Sequence, residues 1–188
     1  LASPPQQAFA LAAPPELTAV DLGTPPLAGK SVKIEGGYEV TGSGNDIGGT
    51  RDQCHYAYQS RPGDFDIQVR LTRLNASDPF QLAGLMARDG LTPNGRFGAV
   101  FAASPQVGCL FRSREPAGSS ATTAAPVGGL PVSDPSTWLR LRRVGSQLTG
   151  YASHDGLSWY LLGARTFSSL PATLNLGVTV ASATTNST

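Results

Sequence analysis

Few side chains in this sequence could do acid–base, nucleophilic or metal chemistry. Its 188 residues hold two histidines, two cysteines and thirteen carboxylates, of which four are glutamates. Hydrolysis of a glycosidic bond needs two carboxylates set across it. On a sheet they would read Glu-x-Asp-x-Glu, because alternation puts all three on one face. No such run occurs: Glu35 and Glu39 flank Gly36-Gly37, and Glu16 and Glu115 adjoin prolines. A Ser-His-Asp relay would have to use His55 or His154. His154 precedes the turn signal Asp155-Gly156 and reads as a solvated turn residue. His55, between Cys54 and Tyr56 in a strand-like segment, is the better functional candidate of the two, but its first reading is a structural histidine. No Gly-x-Ser-x-Gly elbow, phosphate loop or zinc signature is present. The expectation is no catalytic residues and no enzyme, with a glycoside hydrolase or lyase as the least favoured reading.

Binding chemistry is better represented. In Gly42–Asp52 (GSGNDIGGTRD) small residues allow a folded-over loop. Asp46 and Asp52 could brace that loop by accepting backbone N–H bonds, or form a calcium or ligand site. An EF-hand is excluded, since its Asp spacing and final Glu are missing. Cys54 and Cys109 sit far apart in strand-like segments, either as two buried thiols or as one disulfide joining strands. Neither arrangement resembles a metal site, and no cofactor is implied beyond the possible calcium. Tyr56, Tyr58, Arg88, Arg112, Trp138 and Arg140 occupy polar-facing strand positions. Rings with apolar faces beside five-donor guanidinium groups are the means of holding a sugar, and these six are the candidate ligand-binding set.

The elements that must position these groups are strands. Charged residues make up 14%, below the usual quarter, while Gly (22) and Pro (15) are abundant without a collagen-like period. Period-two segments run over Ser31–Glu35, Tyr38–Gly42, Gln53–Gln59, Asp66–Leu74, Leu82–Arg88, Phe97–Ala103, Gly108–Arg114, Thr137–Val144, Gln147–His154, Tyr160–Phe167 and Thr173–Ser182. In Asp66–Leu74 the residues Ile67, Val69 and Leu71 share one face. Leu139 and Leu141 likewise point away from Trp138, Arg140 and Arg142. Leu85, Leu174, Leu176 and Val178 complete the expected core. Gly36-Gly37, Gly145-Ser146 and Asp155-Gly156 fit hairpin turns. Residues 115–136 read as a long surface loop, and 1–28, with three Pro-Pro pairs, as a leader or linker before a domain at 29–188. The fold expected is an all-β, two-sheet antiparallel jelly-roll sandwich.

Taken in order, Gly42–Asp52, Gly63-Asp64, Ala83–Asp89, Trp138–Gly145, Ser153–Trp159 and Gly177–Ser182 resemble a family of bacterial extracellular modules of the concanavalin A-like lectin/glucanase superfamily. That family is of unassigned function and is often appended to carbohydrate-active or surface proteins. It places an aromatic where Gly48 stands and a His where Ala183 stands. The resemblance implies a secreted or cell-surface, lectin-like module that binds carbohydrate without catalysis; a spacer or subunit-contact domain without ligand is the alternative. Partners follow accordingly: a glycan is the expected ligand, no nucleic acid is expected at a formal charge of +1, and no apolar run reaches the ~20 residues a membrane span needs. The family's closing strand has no counterpart before Thr188, so the open edge is expected to be covered by Gln7–Ala13 or by a second chain.

Overall fold

A computed structural model describes residues 14–75, 78–126, 129–133 and 135–183. Thirteen strands follow one another: β1 (Thr18–Leu22), β2 (Lys30–Ile34), β3 (Gly37–Thr41), β4 (Cys54–Pro62), β5 (Phe65–Leu71), β6 (Leu82–Arg88), β7 (Phe97–Ala102), β8 (Cys109–Arg114), β9 (Thr122–Ala124), β10 (Thr137–Val144), β11 (Gln147–Ser153), β12 (Tyr160–Thr166) and β13 (Thr173–Ala181). There is no helix among the described residues. The fold is the all-β antiparallel sandwich that alternation and turn spacing predict. A seven-stranded sheet, β1-β4-β13-β6-β7-β8-β9, faces a four-stranded sheet, β12-β11-β10-β5, and β2 and β3 pair as a separate hairpin.

The core between the sheets is supplied by alternating residues of each. Leu85, Ala87, Val100, Phe111, Leu174 and Leu176 come from the large sheet; Leu139, Leu141, Leu148 and Leu162 come from the small one. Ile67, Val69, Leu71 and Val178, expected in this core, pack against it half-buried. β10 shows the one-sided pattern plainly, with Thr137, Leu139, Leu141 and Arg143 buried and the residues between them open to solvent to some degree. The large sheet is different. β7 is buried at all six positions, because its second face carries another apolar layer of Leu22, Ile47, Cys54, Tyr56, Met86, Phe101 and Leu110. A strand buried on both faces loses its alternation and reads as a continuous apolar run, as Phe97–Ala102 does.

Two strands lie where none was expected. β1, inside the presumed leader, pairs with β4 from Thr18↔Tyr58 to Leu22↔Cys54 and so forms one edge of the large sheet. β9, inside the presumed surface loop, forms the other edge beside β8. Both are short and flanked by irregular chain, which hides a period-two signal. Gln7–Ala13, the segment proposed for the open edge, lies outside the described residues.

Leu141 and Leu176 are 0% and 3% exposed, so truncating either leaves a cavity. Leu141→Ala and Leu176→Ala are each expected to cost about 2–5 kcal/mol in urea unfolding. Arg142→Ala, on the outer face of the same strand, should stay within about 0.5 kcal/mol. A loss below about 1 kcal/mol at both leucines would mean that the inward face is wrongly assigned.

Candidate functional site

The small sheet leaves its outer face open, and register sets what stands there. β5 pairs with β10 so that Arg70 lies opposite Trp138, Gln68 opposite Arg140 and Asp66 opposite Arg142. β11 continues the rows, with Tyr151 opposite Arg140, and β12 adds Leu161 opposite Tyr151. Arg140 is the node. Its Nε donates to Asp66 Oδ1 at 2.6 Å and its Nη2 to Asp66 Oδ2 at 2.5 Å. Its guanidinium carbon lies 5.4 Å from the ring centroids of both Tyr151 and Trp159. The hydrogen bonds from Arg140 hold the Asp66 carboxyl below the ordinary carboxylate range. At the end of the face Arg70 lies over the Trp138 ring at 5.8 Å.

The hairpin after β11 fixes the position of Trp138 and Trp159. Asp155 Oδ1 accepts the Ser153 hydroxyl at 2.8 Å and the N–H groups of Leu157 and Ser158 at 2.7 Å each. These bonds to the charged form, led by the Ser158 and Leu157 N–H groups, hold its carboxyl far below the ordinary range. Gly156 has φ of 72°, and a Cβ there would stand 3.0 Å from the Trp138 indole, so the turn needs glycine both for its backbone and for its seat on the ring. Beyond it Leu157 and Leu161 are 83% and 57% exposed. Apolar side chains left in water beside half-buried rings make a patch of the kind that meets a ligand.

The six candidate ligand residues do not share one surface. Trp138 and Arg140 lie on the outer face of the small sheet; Tyr56, Tyr58, Arg88 and Arg112 lie on the far side of the large one. Tyr56 is fully buried, its ring stacked on Tyr58 at 5.2 Å and its hydroxyl donating to Asn175 O at 2.7 Å and Met86 O at 3.1 Å. Burial pushes that hydroxyl well above its usual pKa. Arg88 is buried as well, so neither can meet a ligand in this conformation. The loop around Gly42–Asp52 folds over this face and puts Asp52 against both arginines. Asp52 Oδ2 accepts Nη1 of Arg88 and of Arg114 at 3.0 Å each, and Asp52 Oδ1 accepts Arg114 Nη2 at 2.6 Å. All three side chains are shut off from solvent. Asp46 Oδ1 accepts the Ile47 N–H at 2.8 Å and Arg112 Nη1 at 2.6 Å. Asp46 thus braces the loop through a backbone N–H as expected, whereas Asp52 does so through the Arg88 and Arg114 guanidinium groups. Among the described residues no cluster of three or more His, Cys, Asp or Glu could hold a metal ion.

His55 finds partners the sequence could not reveal. Its Nδ1 is 2.6 Å from Asp21 Oδ1 and its Nε2 is 3.0 Å from Ser31 Oγ. That is the connectivity of a hydrolytic triad, but its setting is a latch. Gly29, whose N–H donates to Asp21 at 3.1 Å, lies so close over the imidazole that a Cβ would come within 2.2 Å of it. The nearby cavity, about 210 Å3, is lined by Lys30, Val32, Glu39 and Thr41, which alternate with Ser31 onto the other face of the β2–β3 hairpin. The array pins that hairpin and β1 to β4. His154, read as a solvated turn residue, contacts Pro131 O at 2.9 Å through Nε2.

The disulfide considered for Cys54 and Cys109 is not made; both are free and buried. Cys109 belongs to the core between the sheets and Cys54 to the layer on the far side of the large sheet. Their side chains point to opposite faces, which no S–S bond can bridge. The residues missed from sequence are Asp66, Arg70, Tyr151 and Trp159. Alternation in β5 sets Asp66 and Arg70 on the face opposite Ile67, Val69 and Leu71, but only strand register places Asp66, Arg70 and Tyr151 near Arg140.

No family model matches the chain, and no curated protein matches it in sequence. Solved structures do. A protein of unknown function from Saccharomyces cerevisiae superimposes with a TM-score of 0.62 at 18% identity, over 88% of this chain and 86% of its own. The carbohydrate binding module CBM66 from Bacillus subtilis does so with a TM-score of 0.53 at 15% identity, over 84% of this chain and 89% of its own. These likenesses establish a shared β-sandwich fold.

Two measurements test this account. Burial pushes the Cys54 and Cys109 thiols up to about 12, so Ellman's reagent at about pH 8 should find neither in the folded protein and both after unfolding without reductant. A titre of zero after unfolding would mean that they are bonded. Asp52→Asn removes the anion between two buried guanidinium groups and is expected to cost about 3–5 kcal/mol in chemical denaturation. A cost below about 1 kcal/mol would show that Asp52 does not hold the loop.

Proposed function

We propose that this chain is a non-catalytic carbohydrate-binding module of concanavalin A-like type, carried by a secreted or cell-surface protein, with the outer face of the small sheet as its binding surface. The observation that carries the reading is the Arg140 node: one guanidinium fixed by a bidentate carboxylate between Tyr151 and Trp159, bordered by exposed Leu157 and Leu161. Pyranose and furanose rings offer a C–H face and a rim of hydroxyls. Aromatic and aliphatic side chains take the first, and paired Arg and Asp, rich in donors and acceptors at fixed angles, take the second. A sandwich neighbour that is itself a carbohydrate binding module supports the reading at the level of fold. On the opposite face of the large sheet Tyr56 and Arg88 are buried and Arg88 is engaged by Asp52, so that face offers less to a ligand.

The test is binding to a glycan array followed by calorimetry. Trp159→Ala and Arg140→Gln should each weaken binding about tenfold or more, with little change in melting temperature. Arg112→Gln, on the other side of the molecule, should bind like the unaltered chain. The Asp66 carboxyl, depressed by Arg140, contributes above the ordinary carboxylate range and is lost as pH falls through its lowered value. Binding should therefore be flat from about pH 5 to 8 and decline only in stronger acid. Absence of binding to every glycan, or full binding by Trp159→Ala, would reject this surface.

A further inference from the structure

We infer that the ligand of the small-sheet face is a polyanionic polysaccharide, one carrying carboxylate or sulfate groups along its chain; the inference rests on the glycan reading above and narrows it. Three guanidinium groups lie on the face: Arg70 from β5, and Arg140 and Arg142 from β10. Register sets Arg70 opposite Trp138, and from Trp138 to Arg142 is four residues, roughly 13 Å of extended strand. The positive charge is therefore spread along a line that a chain molecule could follow.

Of the three, only Arg140 is neutralised at close range, since both oxygens of Asp66 take its N–H groups. Arg142, half exposed, reaches Asp66 Oδ2 only at 3.9 Å, and that oxygen already accepts from Arg140. Arg70 gives Nε to Pro135 O at 2.8 Å and pairs with no carboxylate among the described residues. Asp155, the other acid at this end, turns Oδ1 onto Ser153, Leu157 and Ser158 within its own loop. Asp64, at the Arg142 end, gives Oδ1 to the Gly145 N–H at 2.8 Å, so among the described residues neither Arg70 nor Arg142 has a carboxylate within hydrogen-bond distance. Guanidinium forks match carboxylate and sulfate oxygens in pairs, while the rings of Trp138, Tyr151 and Trp159 supply the stacking surface a sugar chain needs. A neutral glycan would use the rings and leave Arg142 idle.

The experiment measures affinity for sodium polygalacturonate and chondroitin sulfate against neutral galactan and xylan, at low and high salt, with single-stranded DNA as a polyanion that is not a glycan. The expected result is binding of at least one acidic polymer about tenfold or more tighter than either neutral one, weakened by salt. Arg142→Gln should abolish that preference, and Trp159→Ala should weaken acidic and neutral polymers alike. Equal binding of acidic and neutral polymers, or a preference that survives Arg142→Gln, overturns the inference and leaves the glycan reading in place. DNA binding as tight as that of the acidic polymers overturns it in favour of general polyanion attraction. Binding of none of the polysaccharides overturns both.

Discussion

One carboxylate organises the far side of the molecule. Asp52, without solvent contact, is held by Arg88 from β6 and bidentately by Arg114 from β8. Two cations on one anion leave a net positive charge inside the protein, a costly arrangement unless further acceptors surround it. They do. Arg114 also donates to the carbonyls of Gly48, Gly49, Pro93, Gly95 and Ser119, and lies 4.9 Å from the Phe97 ring centroid; Arg88 donates to Gly90 and Thr92. Those carbonyls belong to three loops that have no sheet partner of their own, so the same bonds that satisfy the guanidinium groups fix the loops.

The consequence reaches across the fold. With the loop around Gly42–Asp52 drawn down by Asp52 and seated by Ile47, which is fully buried, the large sheet is covered on both faces. It then has apolar layers above and below, and its central strands need no polar side. The small sheet has no such cover. Its outward positions meet water, and the aromatic and charged side chains there pair with one another, cation to ring and fork to carboxylate. The face left open on this sandwich is therefore that of the four-stranded sheet, because the seven-stranded one is sealed.

The Asp21–His55–Ser31 array shows how connectivity alone misleads. A hydrolytic triad and a structural latch can share the same two hydrogen bonds; they differ in what surrounds the serine and the ring. Here a glycine backbone lies over the imidazole, and the hydroxyl joins the β2–β3 hairpin to the sheet. The three residues come from three strands, β1, β2 and β4, of which β1 and β4 pair in one ladder while β2 pairs with β3. Their bonds substitute for backbone pairing between hairpin and sheet.

Much of the architecture was legible from residue order, because its signal is local. All eleven segments read as strands from period-two alternation are strands, and Gly36-Gly37, Gly145-Ser146 and Asp155-Gly156 turn as their backbone freedom suggests. The inward assignment of Leu139 and Leu141, and the outward one of Trp138, Arg140 and Arg142, follow from alternation alone. β1 and β9 were not legible, since each is a short strand set in proline-containing irregular chain, between Pro15 and Pro25 and between Pro116 and Pro126, that interrupts the alternation. The site was legible only in part. Tyr56 and Arg88 have the residue types and spacing of a solvent-facing strand, and nothing within β4 or β6 says that a distant loop will bury them. Asp52 meets Arg114 across 62 positions, Asp66 meets Arg140 across 74, and Ser31 and Asp21 meet His55 across 24 and 34. Alternation decides which face a side chain takes, because it depends on neighbours along the chain. Which faces are covered, and which side chains meet on the one left open, depend on sheet order and register, and those exist only once the chain has folded.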